Sequence, residues 1–242
     1  MKVYFRKGID NEIANHNFYA AYDGFKQMGF EICYFQDINE LPKHQKEDIV
    51  VGYVDDVRNI LRHYEIVAPE LDYPEELTSY LGRKVWKSRL SIVANNPENW
   101  NVFVKPVEDK KFTGTVVRST KDLVGCGTYG EDPEIFCSEV VKLVAEWRCF
   151  VRYGNILDVR RYRGDWRNHF DPRIVQDIVN QFKTAPNGYS VDIGLTDKGE
   201  TLLIEINDGY ALGHYGLNSL DYAKLLSARW SELTKTIDEC DF

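Results

Sequence analysis

Two apolar runs near the C-terminal end, separated by one polar turn, restrict this chain more than any other feature. YSVDIGL (189–195) and TLLIEIN (201–207) have the composition of strands, and TDKGE (196–200) between them reads as a hairpin turn. A strand has period two, so Glu205 and Asn207 point to one face. Antiparallel pairing brings Asp192, on the preceding strand, to the same place. Asp192, Glu205 and Asn207 form a hard, oxygen-only donor set. Such a set suits Mg²⁺ carrying nucleotide phosphates and suits zinc poorly.

The rest of the chain can bury the core that such a site needs. Its 242 residues suffice for one large domain or two small ones, and 43% hydrophobic with 13% aromatic residues is the composition of a folded protein. No apolar run is long enough to span a bilayer, and MKVYFRK (1–7) reads as a strand without the apolar stretch of a signal peptide. Cys33, Cys126, Cys137, Cys149 and Cys240 show no C-x-x-C pair and no histidine at zinc spacing. Reduced, mostly buried thiols in a cytoplasmic protein are expected. A net charge of −8 gives nucleic-acid binding no global support. Yet Arg148, Arg152, Arg160, Arg161, Arg163 and Arg167 fall within one short segment. Some of them are expected on a solvated sheet face and others in a pocket for an anion, because alternate strand residues face opposite ways.

Two patterns of organisation follow one another along the chain. Residues 1–82 alternate strands (3–5, 31–35, 48–54, 66–68) with helices (a stripe from Ile13 to Met28, then 55–63, then near 75–81). This βαβαβ rhythm implies a small parallel sheet with helices on it. From residue 83 a helix (84–94) and a turn (95–99) lead into strands at 102–107, 114–118 and 135–141. A hairpin of 146–153 with 156–163, turning at Gly154 and Asn155, follows. Asp171 caps a helix with Pro172 at its first position and Ile174, Ile178 and Phe182 on its apolar side. The two strands of the opening argument come next, then an amphipathic helix carrying Leu220, Ala223, Leu226, Trp230 and Leu233. The expected class is α/β for the first part and α+β with an antiparallel sheet for the second.

Three segments line up with the carboxylate hairpin. VFVKP (102–106) places Lys105 among apolar residues, where an ammonium needs a partner such as phosphate. On this segment alone, an edge-strand lysine with a solvated head fits slightly better. SEVV (138–141) and EWR (146–148) offer an extended segment for adenine, a carboxylate for ribose hydroxyls in Glu146, and a neighbouring cation in Arg148. An ordinary cross-strand ion pair explains the last two equally simply. DGYALGHYG (208–216) is a glycine-containing loop beyond Asn207 whose Tyr210, His214 and Tyr215 are placed to touch a substrate.

In this order, Lys-Pro strand, Ser-Glu-Val-Val, Glu-Trp-Arg, Val-Asp and Glu-Ile-Asn-Asp, the chain resembles the ATP-grasp superfamily. Within it, the chain is similar to a clade of small bacterial and phage proteins named for two arginines and a lysine. The resemblance covers roughly residues 83–230. It implies a pre-ATP-grasp domain over 1–82 and an ATP-grasp domain over 83–242, with subdomains 83–141 and 142–242. It also implies ATP and Mg²⁺ as cofactors. Asp192, Glu205 and Asn207 match the metal ligands, and Lys105 matches the phosphate lysine. Glu139, Val140 and Val141 match the adenine hinge, and Glu146 the ribose carboxylate. Arg148 with Arg160 or Arg161 would supply catalytic positive charge. Two positions depart from the pattern. Ser190 stands where several such ligases carry an arginine, and the loop KKFTG (110–114) is poor in glycine for a phosphate-covering lid.

The activity implied is an ATP-dependent carboxylate–amine (or thiol) ligase working through an acylphosphate. It would form a carbon–nitrogen bond on a small-molecule or peptide substrate bearing a carboxylate. Alternatives are a kinase of the same fold, a nucleotide-binding protein without catalysis, and an unrelated α/β protein whose Asp, Glu and Asn are surface residues. A homodimer is expected from the fold, although no segment marks its interface.

Overall fold

The computed structural model describes residues 1–10, 12–37, 44–108, 111–127 and 130–242. Lys110 of the candidate lid, and Thr128 and Tyr129 of the glycine-rich stretch 125–130, lie outside the described residues. The chain forms two compact units. One joins Met1–Tyr80 to Val144–Phe242, and the other is Leu81–Leu143. The three-part division into 1–82, 83–141 and 142–242 stays a proposal about modules.

In the first unit, β1 (Lys2–Arg6), β2 (Glu31–Phe35) and β3 (Ile49–Val51) form a parallel sheet in the order β2-β1-β3. Alternation in KVYFR buries Val3 and Phe5. Helix α1 (His16–Gln27) starts later than the apolar stripe suggests. Asn15 caps it by accepting from the Asn17 and Phe18 amides, and Ile13 is drawn into a bridge with Lys7. Helix α2 (Val54–His63) follows β3. The strand expected at 66–68 is absent, because the Ile66 amide is spent on the Leu61 carbonyl at the end of α2. A 3-10 helix covers Glu75–Tyr80.

The second sheet of this unit has the order β11-β10-β8-β9. It is built from β8 (Leu143–Arg152), β9 (Asn155–Gly164), β10 (Gly188–Thr196) and β11 (Thr201–Asp208). The β8–β9 hairpin turns at Tyr153 and Gly154, one residue earlier than expected. Both have positive φ (48° and 72°), as a two-residue turn with inverted twist requires. Helix α4 (Pro172–Gln181) is capped by Asp171 as expected, and buries Val175, Ile178 and Val179. Helix α5 (Ser219–Thr234) packs on α1 so closely that a Cβ added at Gly24 would lie 2.1 Å from the Ser219 carbonyl oxygen. Val3, Phe25, Phe150, Tyr222 and Trp230 share this unit's core.

The second unit is a sheet in the order β4-β7-β5-β6: β4 (Val85–Arg89), β5 (Val102–Pro106), β6 (Thr115–Val117) and β7 (Glu134–Glu139). Neighbouring strands run antiparallel, over a core of Leu90, Val93, Val104, Ile135 and Cys137. The helix expected over 84–94 is replaced by β4 and a short α3 (Leu90–Asn95). VWKSR pairs with β7 at five successive positions, and the Asp132 carboxylate accepts from the Ser91 amide, so helix begins only at Leu90. Strand pairing outweighs weak local helix preference here. Among the described residues, no helix is long and apolar enough to cross a membrane.

Candidate functional site

The hairpin of β10 and β11 is antiparallel, with Asp192 opposite Glu205 and Ser190 opposite Asn207. Directly opposed side chains share a face, so all four lie together on one side of the sheet. The register slips between Asp192 and Ile193, a bulge immediately beside the carboxylates. Val191 and Ile206, on the opposite face, are buried in apolar surroundings.

Arg148 comes up beside this pair from β8. Its Nε and Nη2 donate to the two carboxylate oxygens of Asp192, each at 2.8 Å, and both side chains are buried. Burial opposes the Arg148 charge, and the Asp192 carboxylate overcomes that opposition, so the guanidinium stays charged. Burial pushes the Asp192 carboxyl up, against the downward pull of Arg148. The Arg148 guanidinium also lies 5.0 Å from the centre of the Tyr215 ring. Tyr215 stacks on Tyr162 of β9 with ring centres 5.0 Å apart. Tyr215 holds a left-handed backbone (φ 43°), a conformation that needs its surroundings to sustain it.

Along β9 the pairing separates two candidate arginines. Arg160 is opposite Arg148 and shares its face, whereas Arg161 is opposite Trp147 and is exposed. Arg160 contacts Asp158 at 2.5 Å. Glu146 is engaged by Arg163, and burial followed by the charges of Asp192 and Glu146 pushes the Tyr162 hydroxyl well up. The ribose candidate Glu146 and the cation Arg148 thus lie on the same strand as the sequence suggests, but each already has a partner.

The second unit carries Lys105, Glu139, Val140 and Val141. Lys105 on β5 and Lys87 on β4 are both in register with Phe136 on β7. Their ammonium groups lie 5.6 Å and 5.2 Å from the Phe136 ring centre. Lys87 was not singled out from sequence, and recognising β4 as a strand is what reveals it. Glu139 ends β7 and accepts from the Lys84 amide at 2.9 Å, and Val140 and Val141 follow it in the link to β8.

The loop beyond β11 is anchored inside the first unit. The Tyr210 hydroxyl accepts from Arg58 at 2.8 Å, and the His214 amide donates to the Asn17 side chain at 3.1 Å. His214 Nδ1 accepts from the Gly216 amide, and burial lowers the imidazole's pKa.

The donor set can be tested against a magnesium ion. Asp192, Glu205 and Asn207 offer oxygens from one face, as a hard cation requires. They number two carboxylates and an amide, and no cluster of three or more His, Cys, Asp or Glu suited to a metal occurs among the described residues. Asn207 Nδ2 and Ser190 Oγ are buried without hydrogen-bond partners. The residues fit the ion.

A family model described as "ATP-grasp domain, R2K clade family 2" matches residues 80–225. The sequence matches no curated protein. Among solved structures, the chain is similar to N5-carboxyaminoimidazole synthetase from Staphylococcus aureus, with TM-score 0.60 and 12% identity over 98% of this chain and 77% of that one. It is similar to D-alanine–D-alanine ligase from Bacillus anthracis complexed with ATP, with TM-score 0.59 and 12% identity over 97% of each chain. It is also similar to the macrocyclase MdnC bound with precursor peptide MdnA from Microcystis aeruginosa, with TM-score 0.51 and 12% identity over 93% and 99% of the two chains. These likenesses agree on the fold, and the family match covers more than half of the sequence. The chain belongs to the ATP-grasp superfamily, in family 2 of its R2K clade.

Proposed function

We propose that this protein is an ATP-dependent ligase that joins a substrate carboxylate to an amine, or to a thiol, by way of an acylphosphate. The observation that carries the reading is the single sheet face bearing Asp192, Glu205 and Asn207 beside Arg148, in a chain of the ATP-grasp superfamily. Asp192, Glu205 and Asn207 would hold Mg²⁺, which when bound neutralises charge on the nucleotide's phosphate oxygens. Lys87 and Lys105 would bind phosphate oxygens, Glu139 to Val141 the adenine, and Glu146 the ribose.

In the first step a carboxylate oxygen of the substrate attacks the γ-phosphorus of ATP, the bond to the β-phosphate oxygen breaks, and ADP leaves. In the second, the amine nitrogen attacks the acyl carbon, inorganic phosphate departs, and the amine loses a proton to solvent. No side chain acts as nucleophile. Arg148 orients the Asp192 carboxylate, and Arg160, on the same face, would exchange its Asp158 partner for the transferring phosphoryl group. Peptides belong among the candidate carboxylates, since MdnC, a structural neighbour, is bound with a precursor peptide. A homodimer and a cytoplasmic location belong to the same reading.

The test is ADP release with Mg²⁺-ATP across pools of amino acids and peptides, followed by mass spectrometry of any product. A ligase releases ADP only when carboxylate and amine are both present, and the product mass corresponds to condensation. ADP release with a single hydroxyl acceptor identifies a kinase instead. No ADP with any pool, together with a thermal shift by Mg²⁺-ATP, identifies a nucleotide-binding protein without catalysis.

A further inference from the structure

Tyr215 stands where a tyrosine is locally disfavoured. The His214 carbonyl accepts from the Leu217 amide at 2.8 Å, and Tyr215 and Gly216 between them have φ of 43° and 88°. Positive φ at both central residues marks a type I′ turn, whose ordinary sequence is Asn-Gly. A bulky side chain in the left-handed region is an outlier that its surroundings must sustain. Those surroundings are Arg148 and Tyr162. The Arg148 guanidinium lies 5.0 Å from the Tyr215 ring centre, and Tyr162 stacks on the same ring at 5.0 Å with planes 26° apart. Tyr162 is itself aimed by a bulge. Glu146 pairs with Arg163 and Trp147 with Arg161, so Tyr162 is the residue that the β8–β9 ladder skips. Two backbone irregularities, one in a loop and one in a strand, thus converge on one aromatic contact beside Arg148.

We propose that Tyr215 is a positioning residue that holds the Arg148 guanidinium on Asp192. This rests on the nucleotide and metal site proposed above. Asp192 takes Nε and Nη2 along one edge of the guanidinium. The Gly213 carbonyl lies 3.5 Å from Nη1, and the Tyr215 ring lies against the plane itself. Two loop residues therefore bear on the edge and the face that the carboxylate leaves open. A ring attracts a cation most strongly where water is excluded, and Arg148 is only 7% exposed. The loop beyond β11 thereby acts on the carboxylate face through one aromatic contact. That contact needs the ring and not the hydroxyl.

Asparagine supplies the test, because it suits a left-handed turn and has no ring. The Arg148 Nε–H is read by nuclear magnetic resonance in the ligand-free protein, its signal being the one lost in Arg148→Lys. Tyr215→Asn is expected to speed exchange of that proton with water about tenfold, the scale of a desolvated cation–π contact. Its melting temperature should stay within about 4 °C of wild type, since relief of the turn offsets the lost ring contacts. Tyr215→Phe should keep the slow exchange. Calorimetric titration with Mg²⁺-ATP should show about tenfold weaker binding to Tyr215→Asn, the lower end for disturbing a group behind a metal ligand. Unchanged exchange in Tyr215→Asn overturns the proposal, as does equally fast exchange in Tyr215→Phe. A melting temperature lowered by about 10 °C or more in Tyr215→Asn also overturns it, because the ring then serves the fold. Unchanged Mg²⁺-ATP affinity in Tyr215→Asn removes Tyr215 from the site when Asp192→Asn binds weakly. If Asp192→Asn binds as wild type does, the metal site itself is wrong and this proposal falls with it.

Discussion

Arg148 grips both oxygens of Asp192 at 2.8 Å inside the sheet, so the charge expected to serve phosphates is first of all the partner of the buried Asp192 carboxylate. A buried pair of this kind contributes little net stability while intact, but removing one member strands the other charge. Arg148→Ala should cost about 3–5 kcal/mol and lower the melting temperature by about 6–20 °C. Arg148→Lys keeps the charge but not the two-point grip, so it should stay folded and lose ADP formation. Normal turnover in the lysine variant would remove Arg148 from the working site.

Arg160 and Arg161 are neighbours in sequence and opposites in space. Arg160→Gln should reduce ADP release about 100-fold, the scale of losing one donor to a developing negative charge. Arg161→Gln, on the exposed opposite face, should stay within about twofold. Equal effects would mean that the face assignment does not govern function.

Lys87 and Lys105 flank Phe136 as two cations on one ring. Each cation–π contact is worth about 0.5–1 kcal/mol at a partly exposed site. Alanine at either lysine should raise the Kd for Mg²⁺-ATP by about tenfold, as a lost charge-assisted hydrogen bond would. Phe136→Leu should raise it by only about threefold, through looser lysines. Isothermal titration calorimetry reads all three, and unchanged affinity in Lys87→Ala would limit the phosphate site to Lys105.

Gly24 tests the packing of the first unit. Gly24→Ala gains about 1 kcal/mol of helix preference but forces a Cβ against the Ser219 backbone. Overpacking there should cost about 3 kcal/mol, leaving a net loss near 2 kcal/mol. A variant melting at or above the wild type would show that α1 and α5 can separate freely.

Glu76 gives a pH dependence with a definite sign. Its carboxylate accepts from the Thr184 hydroxyl at 2.7 Å and from the Thr184 and Lys183 amides, and these bonds depress its pKa. A depressed carboxylate stabilises the fold above its unfolded pKa, about 4.3, and that contribution is lost as pH falls through the folded value. Wild type should therefore melt above Glu76→Gln at pH 6, and the gap should close as pH falls below the unfolded value of about 4.3. A gap independent of pH would assign the effect to geometry instead of ionisation.

The carboxylate hairpin was legible because period two and a five-residue turn are local properties, and the structure pairs Asp192 with Glu205 as the spacing requires. Strand β4 was not, since VWKSR becomes a strand through β7, more than forty residues away. The partner of Asp192 was hidden for a similar reason: it depends on β8 lying beside β10, which is a matter of sheet order. Tyr153 in a left-handed turn defeats residue preference, so the hairpin tip shifted by one. Ser190 was visible only as a missing arginine. The structure buries it opposite Asn207.

The first unit is assembled from two separate stretches of the sequence, with Val3 and Phe25 sharing a core with Tyr222 and Trp230. During synthesis the contiguous segment Leu81–Leu143 is complete long before α5 emerges, so it can fold first. Helix α1, which packs on β1 and β2, must wait for α5 to cover its other side. Ribosome-bound chains stopped before residue 219 would therefore present a protected middle between two protease-sensitive arms.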